Sequence, residues 1–231
     1  MSIVVVAKCP VPGKTKTRLI PSLGADGAAQ LARAMLSDVL TQVTTIPKVR
    51  RILLFAPSDQ RYVMEELLRD LALEKNWLLW PMRPGTSLAS AQLTIILKDA
   101  LQRARPGPVA FLGMDVPEVP VQELRAAMED DDPDTVLLCP AADGGYGCLL
   151  VPPSLPDTVF DGVEWSTAHT CASQRKVIAD QSPTVRIRMG SMLHDVDELE
   201  DVRALWKRLN DDNDNDCPHT HKVLAQWQSL L

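Results

Sequence analysis

The sequence predicts an α/β fold of three layers, in which helices cover both faces of a mixed, mostly parallel β-sheet. Short apolar segments alternate with amphipathic segments along most of the 231 residues. Such alternation is typical of parallel sheets, because each crossover helix packs back onto the sheet. A second observation is that neither an internal repeat nor an interdomain linker interrupts the pattern. We therefore expect one domain over residues 1–209, followed by an acidic linker and a C-terminal extension over residues 210–231.

The strands are predicted from short apolar runs bounded by turn-forming residues. These runs are Ile3–Ala7, Arg51–Ala56, Trp77–Trp80, Pro108–Met114, Thr135–Cys139, Gly147–Val151 and Thr184–Arg188. Between them, apolar residues recur at helical spacing, as Leu31, Met35 and Leu36 do. The predicted helices cover Asp26–Val43, Ser58–Leu71, Leu88–Ala104, Val121–Met128, Thr167–Asp180 and Asp197–Leu209.

Composition narrows the class of protein. A formal net charge of -6 argues against a general nucleic-acid-binding surface. No apolar stretch has the length of a signal peptide or a membrane span. The five cysteines are odd in number and lack Cys-x-x-Cys pairing, which indicates a reducing compartment. We expect a soluble, cytoplasmic protein that has neither nucleic acid nor a membrane as its partner.

The loop after the first strand resembles a phosphate-binding P-loop only at its end. Gly13-Lys14-Thr15 fits the end of Gly-x-x-x-x-Gly-Lys-Ser/Thr, but Lys8 stands where the first glycine is required. Pro10 and Pro12 also remove two of the N–H groups that would face a phosphate. The sequence therefore excludes a P-loop.

The same loop is nevertheless rich in cations within an acidic chain. Lys8, Lys14, Lys16 and Arg18 lie within a few residues of Gly13. A local cluster of this kind suits one small anionic ligand better than a polyanion. We expect these side chains to clamp a phosphate.

Acidic residues follow three later strands, where ligands bind in open parallel sheets. They are Asp115 in GMDVP, Asp143 in ADGGYG and Asp195 in HDVDELED. Carboxylates are the hard oxygen ligands that Mg²⁺ or Mn²⁺ requires. We expect a metal on Asp115 and Asp195, opposite the cations.

Each acidic segment also has a purely structural interpretation. Asp115 could cap the helix that starts after Pro120. The sequence Asp143-Gly144-Gly145 suits a hairpin turn, although the next residue, Tyr146, favours a nucleobase or sugar nearby. Asp197, three residues before Glu200, has the spacing of a capping box, which would leave Asp195 free to bind a metal.

Five segments in order resemble one known family. KCPVPGKTKTRL, GMDVP, DGGYGCLLV, EWST and HDVDELEDV look like the GT-A-fold glycosyltransferase family associated with arsenosugar biosynthesis, formerly a domain of unknown function. The chain is more distantly similar to 2-phospholactate guanylyltransferase and molybdenum-cofactor guanylyltransferase. The resemblance implies a GT-A (nucleotide-diphospho-sugar transferase) fold and a nucleotide-sugar or nucleoside triphosphate donor. It also implies Mg²⁺ or Mn²⁺ on Asp115.

The resemblance extends to individual residues. Lys8, Lys16 and Arg18 match the family's basic loop, and Asp143 to Tyr146 match its glycine turn. The expected donor or acceptor pocket consists of Gly144, Gly145, Tyr146, Trp165, Ser166 and Thr167. One segment departs from the family: where it usually has Leu-Gly-x-Arg-Met, this chain keeps Leu88 but has Ala89 at the glycine and no arginine.

These residues permit a small-molecule acceptor oxygen to attack either the anomeric carbon or the α-phosphorus of a nucleotide donor. Glycosyl transfer also needs a carboxylate base, for which Asp143, Asp195 and Glu164 are candidates. A non-catalytic nucleotide-binding relative is a further alternative. A dinucleotide-dependent oxidoreductase is disfavoured, because Gly-x-Gly-x-x-Gly does not follow the first strand.

The C-terminal segment carries residue types that bind metals. Asn210–Asp216 is acidic but lacks the glycine and glutamate of a calcium loop. Cys217, His219 and His221 have no fourth ligand nearby. We expect a solvated linker followed by a disordered or surface segment.

Overall fold

A seven-stranded β-sheet forms the centre of the computed structural model, which describes residues 1–85, 88–130, 132–211, 216–228 and 230. The strands are β1 (Ser2–Lys8), β2 (Arg50–Ala56), β3 (Trp77–Pro81), β4 (Val109–Gly113), β5 (Thr135–Pro140), β6 (Tyr146–Val151) and β7 (Arg186–Met189). Their spatial order is β3-β2-β1-β4-β6-β5-β7. Only β6 of these strands is antiparallel to its neighbours, β4 and β5. The predicted mixed, mostly parallel sheet is confirmed.

Helices cover both faces of the sheet, as the sequence predicts. They are α1 (Ile20–Thr44), α2 (Arg61–Asp70), α3 (Ser90–Ala104), α4 (Val121–Met128), α5 (Thr170–Gln181), α6 (Leu199–Asp211) and α7 (Pro218–Leu224). The core on one face contains residues of α1, α2 and α4, and the core on the other contains residues of α3 and α5. Because β1 contributes to both cores, its sequence is apolar without alternation.

Several predicted boundaries shift for identifiable reasons. α1 begins at Ile20, where Pro21 is compatible with the first helical turn, but the non-helical Gly24, with φ of 72°, interrupts it. The uninterrupted part of α1 therefore follows Gly24, close to the predicted start at Asp26. α5 begins at Thr170 because Thr167 lies in a loop that Thr170 fixes: the Thr170 hydroxyl donates to the Glu164 carbonyl over 2.7 Å. No helix within the parts of the chain that the structure describes is long and apolar enough to cross a membrane.

The segment after α6 contains a helix that the sequence analysis did not predict. α7 packs against α1 and α6, and Cys217 before it is fully buried. The expectation of a disordered or surface segment is therefore wrong for Cys217. Residues 212–215 of the acidic stretch lie outside the described residues, and the division at residue 209 stays a prediction.

A buried carboxylate on α1 holds the start of α7. Asp38 is fully buried, and its two oxygens accept the N–H groups of His219 over 3.0 Å and Thr220 over 2.7 Å. Cys217, at the N-cap position of α7, makes no side-chain capping bond. Asp38 thus replaces the local cap that the sequence lacks.

We expect Asp38→Ala to lower the free energy of unfolding by about 1.5–3 kcal/mol, because two backbone N–H groups lose a charged acceptor. Urea denaturation measures this loss, and limited proteolysis should show earlier cleavage near α7. Asp70→Ala is the control, since its ion pair with Arg33 is exposed and contributes at most about 1 kcal/mol. Equal effects of both substitutions would contradict the proposed anchor.

Candidate functional site

The loops at the carboxyl edge of β1, β4 and β5 form a cleft with two lobes. The basic lobe, about 860 Å³, is lined by residues 13–18 of the first loop, by Lys8 and by apolar residues such as Pro57 and Leu88. The acidic lobe, about 310 Å³, lies between Leu97, Tyr146 and Trp165. Asp115 and Asp197 line both lobes and form the waist of the cleft. The cleft therefore brings together several of the residues that the sequence analysis selected at this edge, and their role in a site stays a prediction.

Lys16 lies at the waist and differs from the other cations of the first loop. Its side chain is only 4% exposed, and its ammonium contacts Asp115 and donates to Oδ1 of Asp197 over 2.8 Å. Burial disfavours the charge, but the two carboxylates outweigh burial and raise the pKa of Lys16. The residue adopts a left-handed backbone with φ of 45°. Lys16 therefore joins the loops after β1 and β4 to the segment before α6.

The other three cations stay open to the basic lobe. Lys8, Lys14 and Arg18 are exposed. Arg18 approaches Glu198 to 3.6 Å, whereas Lys8 and Lys14 form no ion pair within the described ranges. Gly13, with φ of 76°, turns the loop between them. These side chains can reach an anion without first breaking a buried contact.

The structure decides against both predicted helix caps. The helix after Pro120 starts without a side-chain cap, and the Asp115 carboxylate instead contacts Lys16. At α6, Asp201 accepts the N–H groups of Asp197 and Glu198 over 3.0 and 2.7 Å. The capping box expected from Asp197 and Glu200 is therefore wrong. Asp201 performs that task and leaves Asp197 to Lys16, a partner that its position in the sequence did not reveal.

The turn between β5 and β6 has the hairpin geometry that its sequence suggests, and it also borders the cleft. Oδ1 of Asp143 accepts the N–H of Gly145 over 2.7 Å, which fixes the side chain within the turn. Gly144 has φ of 89°, and its carbonyl accepts the N–H of Cys171 over 2.9 Å. The turn is thereby fastened to the start of α5.

Two aromatic rings form a wall of the acidic lobe. The centroids of Tyr146 and Trp165 lie 6.2 Å apart. The Tyr146 hydroxyl donates to Gln174 over 3.1 Å, and the Trp165 indole N–H donates to Thr94 over 2.8 Å. Since their polar atoms have partners, the rings are held in fixed orientations. Thr94 and Gln174 position the two rings. The sequence analysis did not identify them, because each of them is simply one residue within a predicted helix.

Ser166 and Thr167 also line the acidic lobe, as predicted. Ser166 has φ of 57°, and its hydroxyl bonds with that of Ser90 over 2.7 Å. Of the three candidate bases, Asp143 and Asp195 lie in the lobe. Glu164 is exposed and is not part of the lobe's described lining. The structure therefore does not bring Glu164 together with the other candidates.

Asp195 lies in a strongly negative environment. Burial raises its pKa first, and the charges of Asp143, Asp197 and Asp201 add to this effect, so that the pKa of Asp195 reaches about 6. The Asp195 side chain forms no ion pair within the described parts of the chain, and a hydrogen bond from its own backbone N–H only partly offsets the rise in its pKa. Such a carboxylate is available to a cation or a proton.

The carboxylates fit a divalent cation that a nucleotide helps to hold. Across the described ranges, no three His, Cys, Asp or Glu side chains form a group that could hold a metal ion alone. Mg²⁺, however, is commonly bound by one or two carboxylates together with substrate phosphates. Asp115 and Asp195 supply such oxygens along the same lobe, and the N–H of Val196 donates to the Asp115 carbonyl over 3.1 Å.

We expect Gly144→Ala to destabilise the protein more than Gly162→Ala does. Both glycines have positive φ, so each substitution costs about 1–2 kcal/mol of backbone strain. A Cβ on Gly144 would also lie 2.1 Å from the Ala168 carbonyl oxygen, whereas a Cβ on Gly162 meets open space. This clash should add about 1–3 kcal/mol. Urea denaturation of the two variants compares them, and equal losses would refute the close approach of the two loops.

Three of the solved structures that resemble this one have descriptions that name a nucleotide or a nucleotide-derived compound. One from Desulfovibrio desulfuricans G20, described provisionally as a nucleotide-diphospho-sugar transferase, is 24% identical with a TM-score of 0.83 over 99% of this chain and 95% of that one. A 4-diphosphocytidyl-2C-methyl-D-erythritol synthase from Anaerococcus prevotii is 10% identical with a TM-score of 0.60, over 90% and 95%. A CMP:2-keto-3-deoxy-manno-octonic acid synthetase bound to CTP is 12% identical with a TM-score of 0.54, over 90% and 98%.

These similarities establish the fold. The α/β sandwich matches that of the solved structure from Desulfovibrio desulfuricans G20, which confirms the fold predicted from the motifs. No curated protein sequence matches the chain. Residues 39–167 match a family model described as an uncharacterized protein conserved in bacteria (DUF2064). Because the match spans more than half of the chain, this protein belongs to that family.

Proposed function

We propose that the protein is a metal-dependent transferase that moves a group from a nucleotide donor, foremost a nucleotide sugar, to a small-molecule acceptor. The observation that carries the proposal is the separation of charge in the cleft. Lys8, Lys14 and Arg18 face one lobe, whereas Asp143 and Asp195 face the other. The fold shared with nucleotide-using transferases supports the same conclusion.

The basic lobe suits the donor. The three exposed cations can bind phosphate oxygens with charge-assisted hydrogen bonds. Pro57, Leu88 and Ala89 line the same lobe and offer apolar surface for a nucleoside. The lobe's volume, about 860 Å³, falls in the range of ligand pockets.

Asp115 and Asp195 would hold Mg²⁺ or Mn²⁺ beside the donor phosphates. The bound ion would stabilise the negative charge that develops on the leaving phosphate. Lys16 keeps Asp115 in place from the opposite side. In this arrangement Lys16 positions the carboxylate, while Lys8, Lys14 and Arg18 contact the phosphates.

The acidic lobe suits the acceptor. Oδ1 of Asp143 is engaged with the Gly145 N–H, which leaves Oδ2 to accept the proton of an incoming hydroxyl group as general base. Asp195 is the second candidate for the base. Glu164 lacks the placement for this role, since it does not line the lobe.

Nucleotidyl transfer is the second candidate function, because solved cytidylyltransferases share the fold. Incubation with Mg²⁺ or Mn²⁺ and a panel of nucleotide sugars and nucleoside triphosphates separates the two reactions. Release of nucleoside diphosphate supports glycosyl transfer, whereas release of pyrophosphate supports nucleotidyl transfer. Nucleotide binding without release of either would indicate a non-catalytic relative.

We expect Lys14→Ala and Arg18→Ala each to weaken binding of the best nucleotide by about 1.5–3 kcal/mol, because each removes a charged donor to phosphate. Calorimetric titration with Mn²⁺ present measures this loss. Lys75→Ala is the control, since Lys75 is an exposed cation in the loop before β3, at the opposite edge of the sheet. If both site variants bind as tightly as the control, the basic lobe does not hold the phosphates.

We expect Asp115→Asn to abolish metal-dependent nucleotide binding, because the amide lacks the charge that Mg²⁺ or Mn²⁺ requires. Asp197→Asn is a matched control. Each variant removes one of the two carboxylates on Lys16, and the two positions are similarly exposed, at 47% and 46%. Mn²⁺ titration into the nucleotide-loaded proteins distinguishes them. Equal losses would show that pairing with Lys16, and not metal binding, is what Asp115 provides.

A further inference from the structure

We infer that the acceptor entering the acidic lobe is an uncharged or cationic polyhydroxy compound, such as a sugar or an amino sugar, and not a phosphate or a carboxylic acid. The inference rests on the proposed function in one respect: it takes the acidic lobe to be the acceptor's place.

The charge of the lobe's lining is the first argument. The charged side chains along its described lining are all carboxylates: Asp115, Asp143, Asp195 and Asp197. Within that lining there is no lysine, arginine or histidine. An anionic acceptor would thus meet like charges without a compensating cation.

The cations near the acidic lobe do not cancel the negative charge of its lining. Lys16 reaches the waist, but its ammonium is already shared between Asp115 and Asp197. Arg18 lines the basic lobe and, with His194 and Arg208, a neighbouring cavity that Asp143, Asp195, Asp197, Glu198 and Asp201 also line. In that cavity Arg18 lies near Glu198, and Arg208 is paired with Glu118. A divalent ion on Asp115 and Asp195 would face the donor phosphates, whose own negative charge offsets it. The acidic lobe stays negative with the donor in place.

The walls of the lobe indicate the shape of the acceptor. Leu93, Leu97 and Phe111 are apolar, and Tyr146 and Trp165 present ring faces because their polar atoms have partners inside the protein. Aromatic faces suit the C–H face of a sugar ring. Ser166 and Thr167 add hydroxyl groups. A volume of about 310 Å³ fits a monosaccharide-sized compound.

This acceptor class favours glycosyl transfer. The acceptor oxygen forms a bond to the anomeric carbon of the donor, and the bond between that carbon and the phosphate oxygen breaks. The hydroxyl proton passes to Asp143, since Asp195 would be engaged with the metal ion, and the nucleoside diphosphate leaves with the electron pair. A neutral hydroxyl group is all that the acceptor must supply.

The test compares three compounds that share the same sugar ring but differ in net charge: glucosamine, glucose and glucose 6-phosphate. Saturation-transfer NMR at low ionic strength measures their dissociation constants with the protein saturated with Mg²⁺ and its best nucleoside diphosphate. The nucleotide occupies the basic lobe, so that the phosphate of glucose 6-phosphate cannot bind to Lys8, Lys14 and Arg18 there. We expect glucosamine and glucose to bind at least about tenfold more tightly than glucose 6-phosphate. Trp165→Ala should weaken binding of the first two. Asp143→Asn should reduce the difference in dissociation constant between glucose and glucose 6-phosphate.

Glu129→Gln is the control for charge, because Glu129 is exposed just after α4, at the opposite edge of the sheet. Glu129→Gln removes one negative charge, as Asp143→Asn does, and should leave the difference in dissociation constant between glucose and glucose 6-phosphate unchanged. Glucose 6-phosphate binding as tightly as glucose would overturn the inference, and so would failure of all three probes to bind. The proposed function fails separately, if the same protein binds no nucleotide in the presence of Mn²⁺.

Discussion

The candidate site depends on one buried interaction, the contact of the Lys16 ammonium with Asp115 and Asp197. A lysine that is 4% exposed needs carboxylates close by, since an unpaired buried charge is costly. Its left-handed backbone adds strain that this contact must offset. The interaction joins three loops that the strands alone would leave separate, and thereby defines the waist of the cleft.

The contact also explains how opposite charges coexist in one cleft. At the waist, Asp115 and Asp197 are both paired with Lys16, and Lys8 and Lys14 in the basic lobe form no ion pair with any residue that the structure describes. On the other side, Asp143 and Asp195 form no ion pair among the residues that the structure describes, and burial together with the neighbouring carboxylates raises the pKa of Asp195. A ligand with phosphates at one end and a neutral partner at the other fits this gradient of charge.

The sequence predicts the fold well because the strands are apolar and the helices have a clear period. The same sequence places the acids at the correct edge of the sheet, because position after a strand is a local property. It does not reveal which groups meet. Lys16 and Asp197 are 181 residues apart in sequence, as are Asp38 and His219, and no local pattern links them. For the same reason, the local spacing of Asp197 and Glu200 suggested a cap that Asp201 provides instead.

The antiparallel direction of strand β6 determines which segment of the chain forms part of the acidic lobe. Because β6 runs against β4 and β5, a short turn suffices to join β5 to β6 at the edge where Asp115 lies. The turn brings Asp143 and Tyr146 beside the start of α5, where the Cys171 N–H holds the Gly144 carbonyl. The basic lobe, by contrast, is built mainly from the loop after β1. Of the two lobes, Asp143 and Tyr146 line only the acidic one, and Lys8 and Lys14 line only the basic one. A change of charge at Asp143 can therefore alter the acceptor without disturbing the lysines that hold the donor.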